Sequence, residues 1–343
     1  MFQPIYSISH KLLANIKFIT VLIEELNAQR FPQLVLMDFE RRAQEVSSFA
    51  STSIEGNPLP LTEVKEILKN KPEHIRDSER EVLNYNTALT YLHSVINNTD
   101  LQISSKLLLE VHTQVISGLL PTFEIGTLRK KPVVVNDPKT GNVVFLPPDY
   151  DQVPKLIDEL IEFVNKNEGK VDPFILAGIF HKQMVIIHPF MDGNGRTTRL
   201  MTKVLLAKMG LNTFSLFSFE NYYNKNVTKY FQTVGEFGDY NELVDVNDFT
   251  EWLEYFTEGI IDELLRVKKL LPQTGYSPET KLEKHHIAVL DYIKQNGFIT
   301  DREYAKLTER AKATRALDFQ KLLEMGLLER KGKGRSTYYV LLD

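Results

Sequence analysis

Apolar residues recur at three- and four-residue spacing along most of this chain, the period of an amphipathic helix. Leu12, Leu13, Ile16, Ile19, Ile23 and Leu26 share one face of a run over 7–28, and a second run covers 34–50. The pattern breaks at S-T-S-I-E-G-N-P-L-P-L, where Gly56, Asn57, Pro58 and Pro60 end a helix and Thr62 is placed to cap the next. Further helices are expected over 78–97 and 104–118. Residues 133–135 (V-V-V) and 143–146 (V-V-F-L) are β-prone, and the turn formers N-D-P-K-T-G-N between them predict a hairpin. Asp172 and Pro173 read as an N-cap and first helical residue. The helix after them is apolar nearly all round, which makes it a core helix. Within 188–199 a tight turn leads into another helix, which opens with Arg196 and runs to Met209–Gly210, and two more are expected near 221–235 and 247–270.

The stretch L-P-Q-T-G-Y-S-P-E-T reads as a linker over 271–280. Beyond it come helices at 282–295, 301–307 and 312–325, then a hairpin with a basic, glycine-rich tip, the element set of a winged helix-turn-helix. The domains expected are therefore a helical region over 1–100, a core over 101–270, the linker, and a small module over 281–343. The fold class is mainly α.

Composition narrows the chemistry. The 343 residues are 43% apolar and 25% charged, a globular mix. There is no cysteine, so disulfides, thiolate metal sites and cysteine nucleophiles are excluded. The N-terminus lacks the basic-then-apolar pattern of a signal peptide, and no apolar run reaches the roughly 20 residues that span a bilayer, so a cytoplasmic protein without membrane contact is expected. Residues 281–343 carry 13 Lys and Arg against 9 Asp and Glu, leaving −8 on the rest of a chain whose net charge is −4. A basic module on an acidic body points to a local nucleic-acid contact, with Arg315, Lys331, Lys333 and Arg335 as candidate DNA contacts. His285 and His286 are adjacent, so helical geometry sends them to different faces, and no metal role is expected.

The sharpest chemistry lies in H-P-F-M-D-G-N-G-R-T-T-R, residues 188–199. Glycines let a ligand approach the backbone, and free N–H groups at a helix start favour phosphate. Arg196 and Arg199 lie on one helical face and suit fork contacts with phosphate oxygens. Asp192 beside a phosphate calls for a cation between them, hence Mg²⁺. His188 suits general-base work near neutral pH. D-G-N-G is also compatible with a plain turn. A calcium loop fails at Arg196 and Lys203, no Walker G-K-[ST] is present, and His181 is expected as a core or supporting residue.

The same stretch resembles the signature of the Fic domain family, H-x-F-x-[DE]-G-N-G-R-x-x-R, at every defined position. G-T-L-R (126–129) and the hairpin after it resemble the family's substrate flap, and 1–70 resembles its N-terminal helical segment. The resemblance implies a Fic-type helical bundle that transfers AMP from ATP to a Ser, Thr or Tyr hydroxyl of a target protein, or of itself, with release of pyrophosphate. His188 would be the base, Asp192 the Mg²⁺ ligand, and Gly193, Asn194 and Gly195 the anion cradle. Arg196 and Arg199 would grip the outer phosphates, and Tyr230 would line the nucleotide site. Val133, Val134 and Val135 would offer an edge to which a target segment adds as a strand. S-T-S-I-E-G (51–56) resembles the family's inhibitory motif, with Glu55 paired to Arg199 and Ser51 holding it. A homodimer is also implied. The competing readings are a DNA-binding regulator whose Fic domain senses nucleotide, a different nucleotide donor, and AMP removal.

Overall fold

Helices α1 (His10–Asn27), α2 (Gln33–Ile54), α3 (Leu61–Lys69), α4 (Asp77–Ile96) and α5 (Ser105–Val115) open the chain. Strands β1 (Val135–Asn136) and β2 (Val143–Leu146) follow, then α6 (Val153–Asn167), α7 (Pro173–Ile187), α8 (Asn194–Leu206), α9 (Glu220–Lys225) and α10 (Val227–Val234). Strand β3 (Gly238–Asp239), α11 (Tyr240–Leu243) and α12 (Thr250–Leu270) complete this part. The description comes from a computed structural model and covers residues 2–29, 33–96, 102–136, 140–271, 282–324, 327–332 and 334–341. The chain divides into two compact units, Met1–Arg30 with Asp38–Gln273, and Phe31–Met37 with Thr274–Asp343. Most of the expected 1–100 and 101–270 regions fall in the first of these units.

The core helix is α7. Asp172 caps it by accepting the Phe174 N–H at 2.9 Å, Pro173 starts it, and nearly every side chain is buried. Burial of each large apolar side chain contributes about 1.5–3 kcal/mol. Helix α12 crosses α7 closely at Gly178. A Cβ there would lie 2.5 Å from Leu253, and the Gly178 carbonyl accepts the Trp252 indole N–H at 2.8 Å. Helix α1 lies along α12, where Asn15 donates to the Thr257 hydroxyl at 2.9 Å and Lys11 pairs with Glu258 at 2.7 Å.

Three local expectations change. Helix α2 continues through the Ser-Thr run to Ile54 because those residues are buried and Thr52 returns its hydroxyl to the Ser48 carbonyl at 2.8 Å, which removes the usual cost of a free hydroxyl on a helix. Helix α3 starts after Pro60, not at a Thr62 cap. The hairpin strand begins only at Val135, which pairs with Phe145, and β2 also pairs in parallel with β3, a long-range contact that local pattern cannot signal.

The second unit contains α13 (Lys284–Asn296), α14 (Asp301–Leu307), α15 (Lys312–Glu324) and the antiparallel pair β4 (Leu328–Lys331) and β5 (Tyr338–Leu341). Its core gathers Val289, Leu290, Ile293, Tyr304, Phe319 and Leu322. Phe319 stacks on Tyr339 at 4.0 Å. Of the linker expected over 271–280, residues 272–280 lie outside the described residues.

Candidate active site

Helix α7 ends at His188, which takes φ 50° and ψ 62° and is the one non-glycine residue with positive φ among the described residues. That conformation costs on the order of 1–2 kcal/mol. Its N–H still bonds the Met184 carbonyl at 3.1 Å, so the strain turns the side chain at the point where the chain leaves the helix. Nδ1 lies 3.3 Å from the Val185 carbonyl, which can only accept, so Nδ1 carries the proton and Nε2 is the basic atom. Burial lowers the pKa of His188. The Val185 bond and the charges of Glu55 and Asp192 act against that, and Arg129 acts with it.

The loop beyond His188 is held from inside. The Phe190 N–H donates to Asn194 Oδ1 at 2.8 Å, and Asn194 Nδ2 donates back to the Phe190 carbonyl at 2.9 Å. Asn194 is expected from the sequence to point its amide at a bound anion. Both its polar atoms bond the Phe190 backbone and shape the loop, and the second N–H of the amide remains for a ligand. Gly193 caps α8 with φ 76° and its carbonyl accepts the Thr197 N–H at 2.9 Å. Asp192 is half exposed and accepts from Arg196 Nη2 at 3.1 Å and from the Gly193 N–H at 2.5 Å.

Arg199 is fully enclosed. It donates from Nε to Ser51 Oγ and from Nη2 to the Ser51 carbonyl, both at 2.8 Å, and from Nη2 to Glu55 Oε1 at 2.7 Å. Burial works against its charge, yet Glu55 raises its pKa above the ordinary value. The Glu55 carboxylate also lies over the start of α8, because a Cβ at Gly195 would stand 2.0 Å from Glu55 Oε1. An acidic group therefore sits where helix dipole and arginine together favour an anion. One turn back on α2, Ser47 accepts from Lys203 Nζ at 2.9 Å, and Lys203 is ion-paired with buried Glu220 at 3.3 Å. Tyr85 donates to Glu220 at 2.7 Å. This buried network fixes the height of α2 against α8. Breaking such a pair costs about 3–5 kcal/mol.

Arg196 is differently placed. Nη1 lies 3.4 Å from Glu81 of α4, and both Nε and Nη1 are buried without a hydrogen bond. Unpaired buried donors are costly, and phosphate oxygens would satisfy them. Glu81 in turn accepts from Asn57 Nδ2 at 2.7 Å, so the loop after Glu55 reaches the second arginine as well.

Tyr230 is enclosed and stands behind Arg199, with its hydroxyl 3.5 Å from Arg199 Nη1 and 2.9 Å from His181 Nε2. A tyrosine exposed along a nucleotide site is thus not what the fold provides. His181 Nδ1 lies 3.0 Å from the Thr202 hydroxyl, whose own proton goes to the Thr198 carbonyl. His181 therefore donates from Nδ1 and accepts at Nε2, and burial holds its pKa well below the ordinary value. In the hairpin, Val134 is exposed, Val135 pairs with Phe145, and β1 is an edge of its three-stranded sheet.

Three contributors escape sequence reasoning. Arg129 gives its backbone N–H to the Pro189 carbonyl at 2.9 Å, its Nε to the His188 carbonyl at 2.8 Å and Nη2 to the Pro148 carbonyl, tying hairpin to loop. Glu81 of α4 belongs to no motif in the sequence. His112 of α5 belongs to no motif in the sequence. It is buried, stacks on Phe190 at 3.8 Å and bonds the Asp192 carbonyl at 3.1 Å.

In the C-terminal unit, Arg315 is turned inward onto Asp301, at 2.8 and 3.0 Å, and onto the Arg310 carbonyl, so it is not a free contact for DNA. Lys331 pairs with Glu329 at 2.7 Å. Lys333 and the Arg335 side chain lie outside the described residues. His285 and His286 do not diverge as helical spacing predicts. The pair sits at the very start of α13, and their Nε2 atoms come within 3.3 and 3.5 Å of Asp318 Oδ1. His286 Nδ1 already accepts the Glu283 N–H at 3.1 Å.

Residues 102–206, a span that contains His188, the glycine turn and both arginines, match the Fic/DOC family. Over 217 residues it is 29% identical to the protein adenylyltransferase Fic of Aedes aegypti, covering 58% of this chain and 42% of that relative. Over 311 residues it is 25% identical to the protein of the same name from Culex quinquefasciatus, covering 85% and 56%. The chain spans about half the length of these curated relatives. Among solved structures, a Fic family protein from Desulfovibrio desulfuricans G20 has a TM-score of 0.63 at 21% identity and covers 99% of this chain and 98% of its own. Caenorhabditis elegans Fic-1 gives a TM-score of 0.61 at 20% identity over 77% of this chain and 74% of its own. These likenesses establish the fold. Among the described residues no helix is long and apolar enough to cross a membrane.

Proposed function

We propose that the chain is a self-restrained protein adenylyltransferase. The target hydroxyl gives its proton to His188 Nε2, and its oxygen attacks the α-phosphorus of ATP. The bond from that phosphorus to the bridging oxygen breaks, and pyrophosphate leaves. Backbone N–H groups at the start of α8 hold the phosphate chain, and Arg196 and Arg199 bind its outer oxygens. Positioning and charge stabilisation supply most of the acceleration in such transfers. One exposed carboxylate, Asp192, fits Mg²⁺ that arrives with the phosphates, since that ion is commonly held by one or two carboxylates and substrate oxygens. When bound it would neutralise charge on the phosphates. An extended target segment adds to the exposed edge of β1.

The observation that carries this reading is the Glu55 carboxylate, which rests against Arg199 and over Gly195 as a built-in anion. It occupies the seat of an outer phosphate and keeps bound ATP from its productive pose. The test is α-labelled ATP with Mg²⁺, comparing the native chain with Glu55→Gly. Label on protein should rise at least severalfold in the variant and vanish in a Glu55→Gly, His188→Ala chain. Equal labelling of native and Glu55→Gly protein would remove the restraint, and labelling that survives without His188 would remove the base.

A further inference from the structure

We propose that His112 is a positioning residue that locks the Asp192–Gly193 peptide and so aims the first donor of the anion cradle. This rests on the transfer reading above and deepens it. His112 Nδ1 accepts the Gly126 N–H at 3.1 Å, so the ring proton of the neutral imidazole is on Nε2. Nε2 then donates to the Asp192 carbonyl at 3.1 Å. The two bonds fix one tautomer and one ring orientation. Stacking on Phe190, with an interplanar angle of 5°, fixes the ring plane. Burial, the main cause, lowers the His112 pKa to about 4, so the imidazole stays neutral at physiological pH and moves no proton.

The geometry of the peptide gives this contact its consequence. In a trans peptide the C=O and N–H point in opposite directions. Pulling the Asp192 carbonyl towards α5 therefore turns the Gly193 N–H the other way. There it donates to Asp192 Oδ1, a bond that a phosphate oxygen would take over when ATP binds. A peptide that precedes glycine flips readily, because glycine tolerates φ of either sign. A flipped peptide would aim a carbonyl oxygen at the phosphate chain in place of a donor. The contact also joins the base of the hairpin, through Gly126, to the loop that carries Asp192. Arg129, three residues further on, bonds the His188 carbonyl. Both ends of the loop are thereby referenced to the segment that precedes the docking strand.

The experiment uses the full chain carrying Glu55→Gly, so that the restraint does not limit the rate. His112→Phe keeps a ring against Phe190 and loses both hydrogen bonds. His112→Gln replaces the acceptor with Oε1 and the donor with Nε2. In His112→Phe the kcat for transfer should fall roughly 100-fold, the usual effect of losing one preorganised donor. The KM for ATP should change less than threefold. His112→Gln should recover at least a third of the kcat, and the pH dependence of its rate should match that of the parent. Transfer by His112→Phe at the parental rate would overturn the proposal. So would a Gln variant as slow as Phe, or an acid limb that moves with either substitution. Failure of the Glu55→Gly parent to transfer at all would be a separate result, against the transfer reading itself. Thermal unfolding of each variant, with a midpoint near that of the parent, excludes loss of fold as the cause.

Discussion

The Tyr230 hydroxyl stands 2.9 Å from His181 Nε2, and since that nitrogen must accept, the hydroxyl proton is committed to it. Its lone pairs are thereby left for Arg199 Nη1 at 3.5 Å. A relay thus runs from Arg199 through Tyr230 and His181 to Thr202 and the Thr198 carbonyl on the helix that carries Arg199 itself. The relay sets the guanidinium from behind while Ser51 and Glu55 hold it in front.

Tyr230→Phe separates support of Arg199 from any stacking on a base, because the ring is kept and only the hydroxyl goes. In a Glu55→Gly chain the variant should lose about three- to tenfold in ATP affinity, the effect of an ordinary hydrogen bond of about 0.5–1.5 kcal/mol, because the contact to Arg199 is long at 3.5 Å. Equilibrium binding of ATP checks it. Affinity equal to that of the parent would mean that the hydroxyl does nothing for Arg199 and the relay is incidental.

The pH dependence of transfer follows from His188. Only the neutral imidazole can accept a proton, and burial holds its pKa below the ordinary 6.5. The rate should therefore be flat at neutral pH and fall only as pH drops below about 6.5. Glu55 is among the charges that raise this pKa, so its removal should move the acid limb still lower. The measurement is kcat/KM for ATP between pH 5 and 8, in native and Glu55→Gly chains. A limb above pH 7, or one moving upward on removal of Glu55, contradicts the assignment of His188 as base.

Much of this site was legible because its chemistry is local in sequence. His188, Asp192, the glycines, Arg196 and Arg199 fall within twelve consecutive positions, and helix periodicity gives α7 and α8 their places around them. Ser51 and Glu55 were legible as a motif, though their partner is about 150 residues away. What stayed hidden depends on tertiary approach. His112 has the spacing of a core residue, and only the packing of α5 on the loop turns its two nitrogens to Gly126 and Asp192. The Tyr230 hydroxyl points inward for a similar reason. Asn194 also braces the loop, because its amide bonds backbone four residues earlier, a closure that spacing alone does not signal. Arg315 looked free because its partner Asp301 lies on the preceding helix.

Glu81 offers the last test. It lies 3.4 Å from Arg196 Nη1 and accepts from Asn57 Nδ2 at 2.7 Å, two residues past Glu55. The segment 55–57 therefore meets one arginine directly and the other through Glu81. A carboxylate beside Arg196 competes with phosphate for it and adds negative charge near the anion seat. Glu81→Gln keeps an oxygen for Asn57 but removes that charge, so the loop stays held while Arg196 Nη1 is released and Nη2 keeps Asp192. ATP affinity should rise about two- to fivefold in the native background, within the range of a partly exposed ion pair. The gain should persist when Glu55→Gly is added, because the two acids act on different arginines. Calorimetric titration of the four chains (native, both single variants and the double) reads this directly. Weaker binding by Glu81→Gln would show instead that Glu81 holds Arg196 in its working position, and a gain confined to chains that retain Glu55 would show that the two acids act through one arginine.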